Sequence, residues 1–380
     1  MHVPLISIIV YVYNAETSLK ECLDSVFKQP HSSIEAICVN DGSVDDSKAV
    51  LTRYMEEDSR MRLLSMDRQG IAACRNAALN IATGDYVLFL DAHDSLHPDV
   101  LTECVERISG GDSYSCVAFN GVMKTSAGRR LEIISGYSEK NLPRTIDTLN
   151  NEYRALFINA ALLFLPMAML KEHTIRFNEK MHYEEFEFCA RCFSLVDSIH
   201  WISKPMYFYT EGQRGSVAIL PARHIDVFQV YRAAKSHFTD SGLWYTVEHL
   251  FYARYLVILL NIRQDSILPS NNATLIHKYE TEFRAVINDV PKLILYSLLN
   301  FFERTGYGRR NLILGIRTDI ERIIRKRSVR ASSQGKIRTV IRSILMKVSP
   351  TYKAIHQTRE LMYSLQKQME ELMSADKNNR

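Results

Sequence analysis

Apolar and polar positions fall into blocks along the first hundred residues, and the spacing changes from block to block. Ile6–Val12, Ile34–Val39 and Tyr86–Leu90 are largely apolar runs of strand length, and Arg62–Ser65 is a shorter one. Runs rich in β-branched and aromatic residues, bounded by Gly, Asn or Asp, read as buried strands. Between them the period lengthens. Glu16–Phe27 places Leu19, Leu23, Val26 and Phe27 on one face, and Ile71–Ala82 reads as another helix. Ser43-Val44-Asp45-Asp46 predicts a further helix start, with Ser43 as N-cap and Asp46 as its partner three residues on. Strands and helices therefore alternate. That order predicts an α/β fold with a mostly parallel sheet and helices on both faces.

The pattern shifts between residues 114 and 210. Ser115–Met123 and Leu131–Ile134 read as a strand pair around Ser126-Ala127-Gly128. Leu149–Phe157 and Ala160–Lys171 read as helices. Glu184–Leu195 is amphipathic, and Ile199–Ile202 and Met206–Tyr209 read as short strands flanking Lys204-Pro205. From about residue 220 the chain reads as helical almost throughout. Three segments follow: an α/β domain over 1–217, a basic helical region over 218–348, and an amphipathic helix over 349–380. In the last, Ile355, Thr358, Met362, Leu365, Met369 and Leu372 form a short heptad seam. It suits either weak pairing of two copies or packing on the preceding helices.

Composition changes the picture little: 380 residues, 46% hydrophobic and 24% charged, describe a globular chain. The formal net charge of +4 matters less than its distribution. Arg304, Arg309, Arg310, Arg322, Arg325 and Arg342 interleave with Ile313, Ile316, Ile320 and Ile324. A basic amphipathic helix reads as an element for an anionic membrane surface, the alternative being a solvated basic face. No nucleic-acid reader motif accompanies the charge, so nucleic acid is not expected as a partner. The seven cysteines read as buried thiols in a reducing compartment, and Cys189-Ala190-Arg191-Cys192 has no second pair to make a zinc site. No run reaches the ~18–20 apolar residues of a spanning helix. Met1-His2-Val3-Pro4 leads straight into the first strand. The chain therefore reads as cytoplasmic and, through its basic helices, peripheral on the inner face of the cytoplasmic membrane.

The candidate chemistry gathers where strands end. Tyr86–Leu90 stops abruptly at Asp91-Ala92-His93-Asp94, a cluster of metal-type ligands. Open α/β sheets bind their ligands at the carboxyl ends of strands. An Asp and a His two positions apart can reach one divalent cation, and a cation there could hold a diphosphate. Upstream, Tyr13-Asn14-Ala15-Glu16 follows the first strand, Asn40-Asp41-Gly42-Ser43 follows the second, and Gln69-Gly70 opens the helix that carries Arg75 and Asn76. Asp41-Gly42 taken alone is an ordinary turn.

In this order and spacing the four motifs resemble the family 2 glycosyltransferases of GT-A fold, of the bacterial surface-polysaccharide type. The resemblance covers roughly residues 3–217 and is strongest through about residue 100. It implies a Rossmann-like, mostly parallel mixed sheet, followed here by helices. It implies a nucleotide-sugar pocket made of Tyr13, Asn14, Glu16, Asp41, Gly42 and Ser43, with Asp41 accepting from uracil. Gly70, Arg75 and Asn76 would line the donor sugar and phosphates. Asp91, His93 and Asp94 would form the metal site. The family's usual pattern has Asp where this chain has His93, and imidazole suits manganese better than magnesium. His93 bonded only to nearby backbone is the bland alternative.

His182-Tyr183-Glu184-Glu185 resembles the family's Glu-Asp pair, so Glu185 would be the general base and Glu184 would orient the acceptor or the loop. Glutamates at a helix start also simply complement the helix dipole. Tyr207-Phe208-Tyr209 and Gln213-Arg214-Gly215-Ser216 resemble an aromatic strand and a closing loop whose Arg214 contacts the diphosphate. The Gln-x-x-Arg-Trp signature of processive synthases is absent, which favours adding one sugar. The expected activity is inverting, metal-dependent transfer from a UDP-sugar to a saccharide acceptor, lipid-linked, in surface polysaccharide, O-antigen or capsule assembly. The alternative is a non-catalytic nucleotide-sugar-binding or scaffold protein of the same fold.

Overall fold

A computed structural model describes residues 3–108, 113–124, 130–133, 159–210 and 220–291. The first strands are β1 (Ile6–Val12), β2 (Ile34–Asp41), β3 (Met61–Met66) and β4 (Tyr86–Asp91). They pair in parallel in the order β3-β2-β1-β4. Every residue of β1 and β2 is buried, as expected of central parallel strands covered on both faces. The crossovers are α1 (Leu19–Phe27), α2 (Ser47–Glu57) and α3 (Ile71–Ile81). The chain moves outward from β1 to β3 and then returns past β1 to β4. Right-handed crossovers therefore set α1 and α2 on one face and α3 on the other. The direction reverses between β1 and β4, so a crevice opens at their carboxyl ends.

Close approach holds the opposite end of this sheet. A Cβ on Gly84 would lie 2.5 Å from Ser7 Oγ and 2.7 Å from Ser7 N. Glu35 of β2 is buried beside them and accepts from Ser7 Oγ (2.6 Å), Thr83 N (2.5 Å) and Gly84 N (3.0 Å). Burial raises its proton affinity, but these hydrogen bonds outweigh burial and hold the carboxyl below its ordinary range.

The second half completes the sheet with β5 (Ser95–Leu96), β6 (Ser115–Lys124), β7 (Arg130–Ile133), β8 (Leu163–Pro166) and β9 (Ser198–Thr210). The order runs on as β4-β8-β6-β9-β5, with β7 on β6. β4–β8, β8–β6 and β5–β9 are antiparallel, and β6–β9 is parallel, which makes the sheet mixed. The other helices are α4 (Val100–Ile108), α5 (Met167–Glu172), α6 (Glu184–Phe193), α7 (Asp226–Asp240), α8 (Trp244–Ile262) and α9 (Ala273–Asp289). All seven cysteines are buried.

Three local expectations are corrected. Ala160–Lys171 is not one helix but a 3-10 turn, strand β8 and the short helix α5. A fully buried apolar run carries no periodicity that separates strand from helix. The two short strands flanking Lys204-Pro205 are one strand, β9, with register shifts beside Asn120 absorbing the proline. Ser43 does not cap α2. Its Oγ accepts from Asn14 N at 3.0 Å, and the helix starts at Ser47.

The described residues all belong to one compact unit, and the expected 217/218 boundary falls within it. Helix α7 meets α6 through His237 Nε2 and Glu187 Oε1, 3.1 Å apart, and Phe186 lies 6.3 Å from the Tyr255 ring. Among the described residues no helix is long and apolar enough to cross a membrane. The Ser126-Ala127-Gly128 turn, Leu149–Phe157, Arg214, the basic stretch over 304–347 and the heptad seam lie outside the described residues.

Candidate active site

Two loops interlock at the carboxyl ends of β1 and β2. Asn14, at φ +47°, gives its amide to Ser43 Oγ and accepts from Val44 N on its side-chain oxygen at 2.9 Å. Glu16 N donates to Asp45 Oδ2 (3.1 Å), and Asp46 N donates back to Glu16 Oε2 (2.9 Å). Asn14, Glu16 and Ser43 thus shape the rim by holding one loop against the other. Asp41 is fully buried below them. It accepts from Tyr11 Oη (3.1 Å), Gln69 N (2.6 Å) and Gly70 N (3.0 Å), and so fastens the start of α3 to β2. Gly70 at φ +90° and Gly42 at φ +67° hold backbone conformations that side chains disfavour. A Cβ on Gly42 would also stand 3.0 Å from Arg68 N. The exposed Arg68 guanidinium lies 3.2 Å from the centre of the Tyr13 ring. An aromatic ring and a cation thus stand together beside these loops.

The ligand cluster follows β4. Ser18 Oγ lies 3.0 Å from His93 Nδ1, 3.0 Å from the Ala92 carbonyl and 3.2 Å from the Ala15 carbonyl. A hydroxyl has one hydrogen, and the carbonyls can only accept it. Where that hydrogen goes to a carbonyl, Ser18 accepts from His93 Nδ1–H, the tautomer that leaves Nε2 to a cation. Asp91 Oδ1 accepts from Arg75 Nη2 at 3.2 Å, and that bond leaves Oδ2. Asp94 is only 8% exposed and directs its oxygens to Tyr207 Oη (2.8 Å) and Thr210 N (2.9 Å). Burial and then Asp91 push its carboxyl up to about 7. Asp94 anchors β9 against β4.

Arg75 organises the centre. Expected from sequence to meet a phosphate, it is 1% exposed and spans two carboxylates, Asp91 through Nη2 and Glu185 through Nη1. Its guanidinium carbon lies 5.2 Å from the Phe177 ring and 5.5 Å from Phe89. Burial would lower its proton affinity, but Glu185 and Asp91 outweigh that and raise it. Glu185 is raised by burial against the pull of Arg75. Glu184 is pushed up to about 7 by burial and by Glu185. Both begin α6, after Tyr183 at φ +65°. The Tyr183 hydroxyl bonds His224 Nδ1, and His182 N donates to Asp226 Oδ2 at 3.2 Å. The turn before the two glutamates is therefore gripped by the segment that leads into α7. Asn76 does not join the centre: its side chain ties Phe177 and Glu179 to α3.

Asp91 and His93 are a carboxylate and an imidazole with one donor atom each to spare, a set that fits a borderline divalent cation. Among the described residues no three His, Cys, Asp or Glu side chains converge on one point, so water and diphosphate oxygens would complete the coordination. The sequence reading overlooked Tyr11, Ser18 and Arg68. Ser18 carries no signal in the chain, because it meets His93 from a helix start 75 residues away. Tyr207 and Tyr209 were legible as an aromatic strand, without their roles.

A mixed α/β sheet with interlocked loops and an Asp/His cluster at its switch point has the GT-A arrangement. Residues 7–169 match the family described as Glycosyl transferase family 2, a segment of 163 of the 380 residues. A putative glycosyltransferase, EpsH of Bacillus subtilis, is 28% identical over 222 residues, covering 55% of this chain and 61% of EpsH. The hyaluronan synthase of Pasteurella multocida is 34% identical over 115 residues, 30% of this chain and 12% of that protein. The chain thus spans less than two thirds of either relative. Among solved structures, S. aureus TarS 1-349 in complex with UDP-GlcNAc aligns with a TM-score of 0.62 at 23% identity, over 85% of this chain and 92% of that one. That likeness is one of fold.

Proposed function

We propose that this chain transfers a sugar from a UDP-sugar to a saccharide acceptor with inversion, in surface polysaccharide assembly. One observation carries the reading: Arg75 joins a candidate metal ligand, Asp91, to a candidate base, Glu185, at the mouth of the β1–β4 crevice. Sugar transfer needs charge neutralised on a departing diphosphate and a base at the acceptor hydroxyl on the other side. Asp91 and His93 would hold a divalent cation, manganese in preference to magnesium, which when bound neutralises the diphosphate charge. Glu185 accepts the acceptor proton. Its raised proton affinity suits that task, and Arg75 keeps it aligned. Glu184 orients the acceptor side, and Asp94 holds β9 in place behind the cluster. The loops with Tyr13, Asn14, Glu16, Asp41, Gly42 and Ser43 seat the nucleotide. Gly70 shapes the start of α3 beside it, while Asn76 supports that helix from behind. Arg68 and Arg214 serve the diphosphate side. The relatives support the polysaccharide context, and the fold of TarS makes UDP-GlcNAc the first donor to try.

A lipid-linked acceptor and attachment to an anionic membrane surface belong to the same proposal, resting on the basic sequence over 304–347. Pairing of two copies rests on the heptad seam. Incubating the full chain with manganese and UDP-glucose, UDP-galactose or UDP-GlcNAc should release UDP, faster when saccharide acceptors are added. No UDP from any donor, with the protein folded, overturns the reading. A second reading, a nucleotide-sugar-binding protein without catalysis, is favoured by His93 and Glu185 standing where the family pattern has Asp. It predicts that Asp91→Ala and Glu185→Gln leave polysaccharide assembly intact in cells, whereas the first reading predicts that both abolish it.

A further inference from the structure

Two tyrosines on β9 face the catalytic centre, and the fold uses only one of them. Their rings lie 4.6 Å apart, as neighbours two residues apart on one sheet face should. Tyr207 Oη accepts from Asp91 N at 3.2 Å and donates to Asp94 Oδ2 at 2.8 Å, so its polar capacity is spent on the scaffold. The Tyr209 hydroxyl is buried as well, yet it has no hydrogen-bond partner among the described residues. A buried hydroxyl without a partner is destabilising, and folded proteins rarely retain one without use.

The ring is also seated deliberately. Gly121 lies opposite Tyr207 on β6. A Cβ at Gly121 would come within 2.5 Å of Tyr209 Cε2 and 3.1 Å of Leu162 Cδ2. Strand β6 therefore gives up a side chain, in a buried stretch where a glycine weakens the strand, to let this ring pass. Asp94, Glu185 and Asp91 all act on the phenol in addition to burial, and all raise its proton affinity. It stays protonated, as a hydrogen-bond donor beside acidic side chains.

We propose that the Tyr209 hydroxyl is a substrate contact, donating to a sugar hydroxyl bound between β9 and the Glu185 end of α6. A sugar hydroxyl both donates and accepts, so it can take the phenol hydrogen while giving its own to a neighbouring carboxylate. A diphosphate oxygen has no hydrogen to give, so it cannot complete that exchange. This inference rests on the nucleotide-sugar reading above and adds a sugar-recognising residue to it. The hydroxyl belongs to either the donor sugar or the acceptor sugar, and the two are separable by experiment.

Tyr209→Phe removes the oxygen and keeps the ring in its seat. Titration calorimetry of the full chain with UDP, UDP-GlcNAc, UDP-glucose and UDP-galactose should show equal UDP affinity in wild type and variant. The nucleotide sugar that wild type binds best should be held about threefold to tenfold more weakly by the variant, the span of one net hydrogen bond. That result assigns the contact to the donor sugar. If donor affinities match and the KM for p-nitrophenyl glycoside acceptors rises by a similar factor, the contact is with the acceptor sugar. Unchanged donor affinity with no rise in acceptor KM overturns the proposal. An equal loss for UDP and UDP-sugar also overturns it, because that marks a packing role. If wild type binds no nucleotide sugar at all, the underlying reading fails first, visibly and before any variant is compared, and this inference falls with it.

Discussion

Arg75 is the residue on which the centre depends. A guanidinium that is 1% exposed between two carboxylates cannot be removed without leaving their charges facing each other. Arg75→Met should therefore destabilise the fold by about 3 kcal/mol, the lower end for a broken buried pair, since Asp91 and Glu185 keep some water. Urea unfolding at neutral pH measures it, and the deficit should shrink in acid as Glu185, whose proton affinity burial raises, takes up a proton. Glu184 gives a second test. Its carboxyl ionises at about 7 when folded, above its ordinary value near 4.5. Its contribution to stability is complete below the unfolded value, falls as pH rises from roughly 4.5 to 7, and levels off beyond. Glu184→Gln should flatten that slope. Asp91, His93 and Glu185 were all legible in the chain as reactive types at strand and helix ends. The link of Asp91 to Glu185 through Arg75 was not, because Arg75 and Glu185 lie 110 residues apart.

Among the elements, β4 shows how little room the sheet allows. Gly84 opens it with Ser7 backbone where a side chain would stand. Gly84→Ala should cost about 1–3 kcal/mol by overpacking, read as a lower urea midpoint with an unchanged slope. Tolerance of the alanine would mean that β1 and β4 lie farther apart than described. Strand β8 was the element the sequence concealed. Leu163, Phe164 and Leu165 are buried on every side, so an unbroken apolar run was all the chain displayed. Its identity as a strand comes from its neighbours, since β4 and β6 offer it a ladder on both sides.

For the molecule as a whole, the helices after residue 220 act as a clamp on α6. Tyr183 meets His224, Phe186 meets Tyr255, and Glu187 meets His237, all around the first turn of α6, which carries the candidate base. A chain ended at residue 217 should therefore lose its cooperative unfolding transition and gain dye binding to exposed apolar surface, as measured by circular dichroism and ANS fluorescence. A sharp transition at the full-length temperature would show that the sheet stands alone. The alternation of strands and helices, the parallel first half and the ligand types at strand ends were determined by sequence, because those features are encoded within a dozen residues of each other. The Ser18 contact of His93, the commitments of Arg75 and Asp41, the strand β8 and the clamp on α6 were decided by tertiary structure. Each depends on a partner brought from far along the chain, and local periodicity carries no information about such partners.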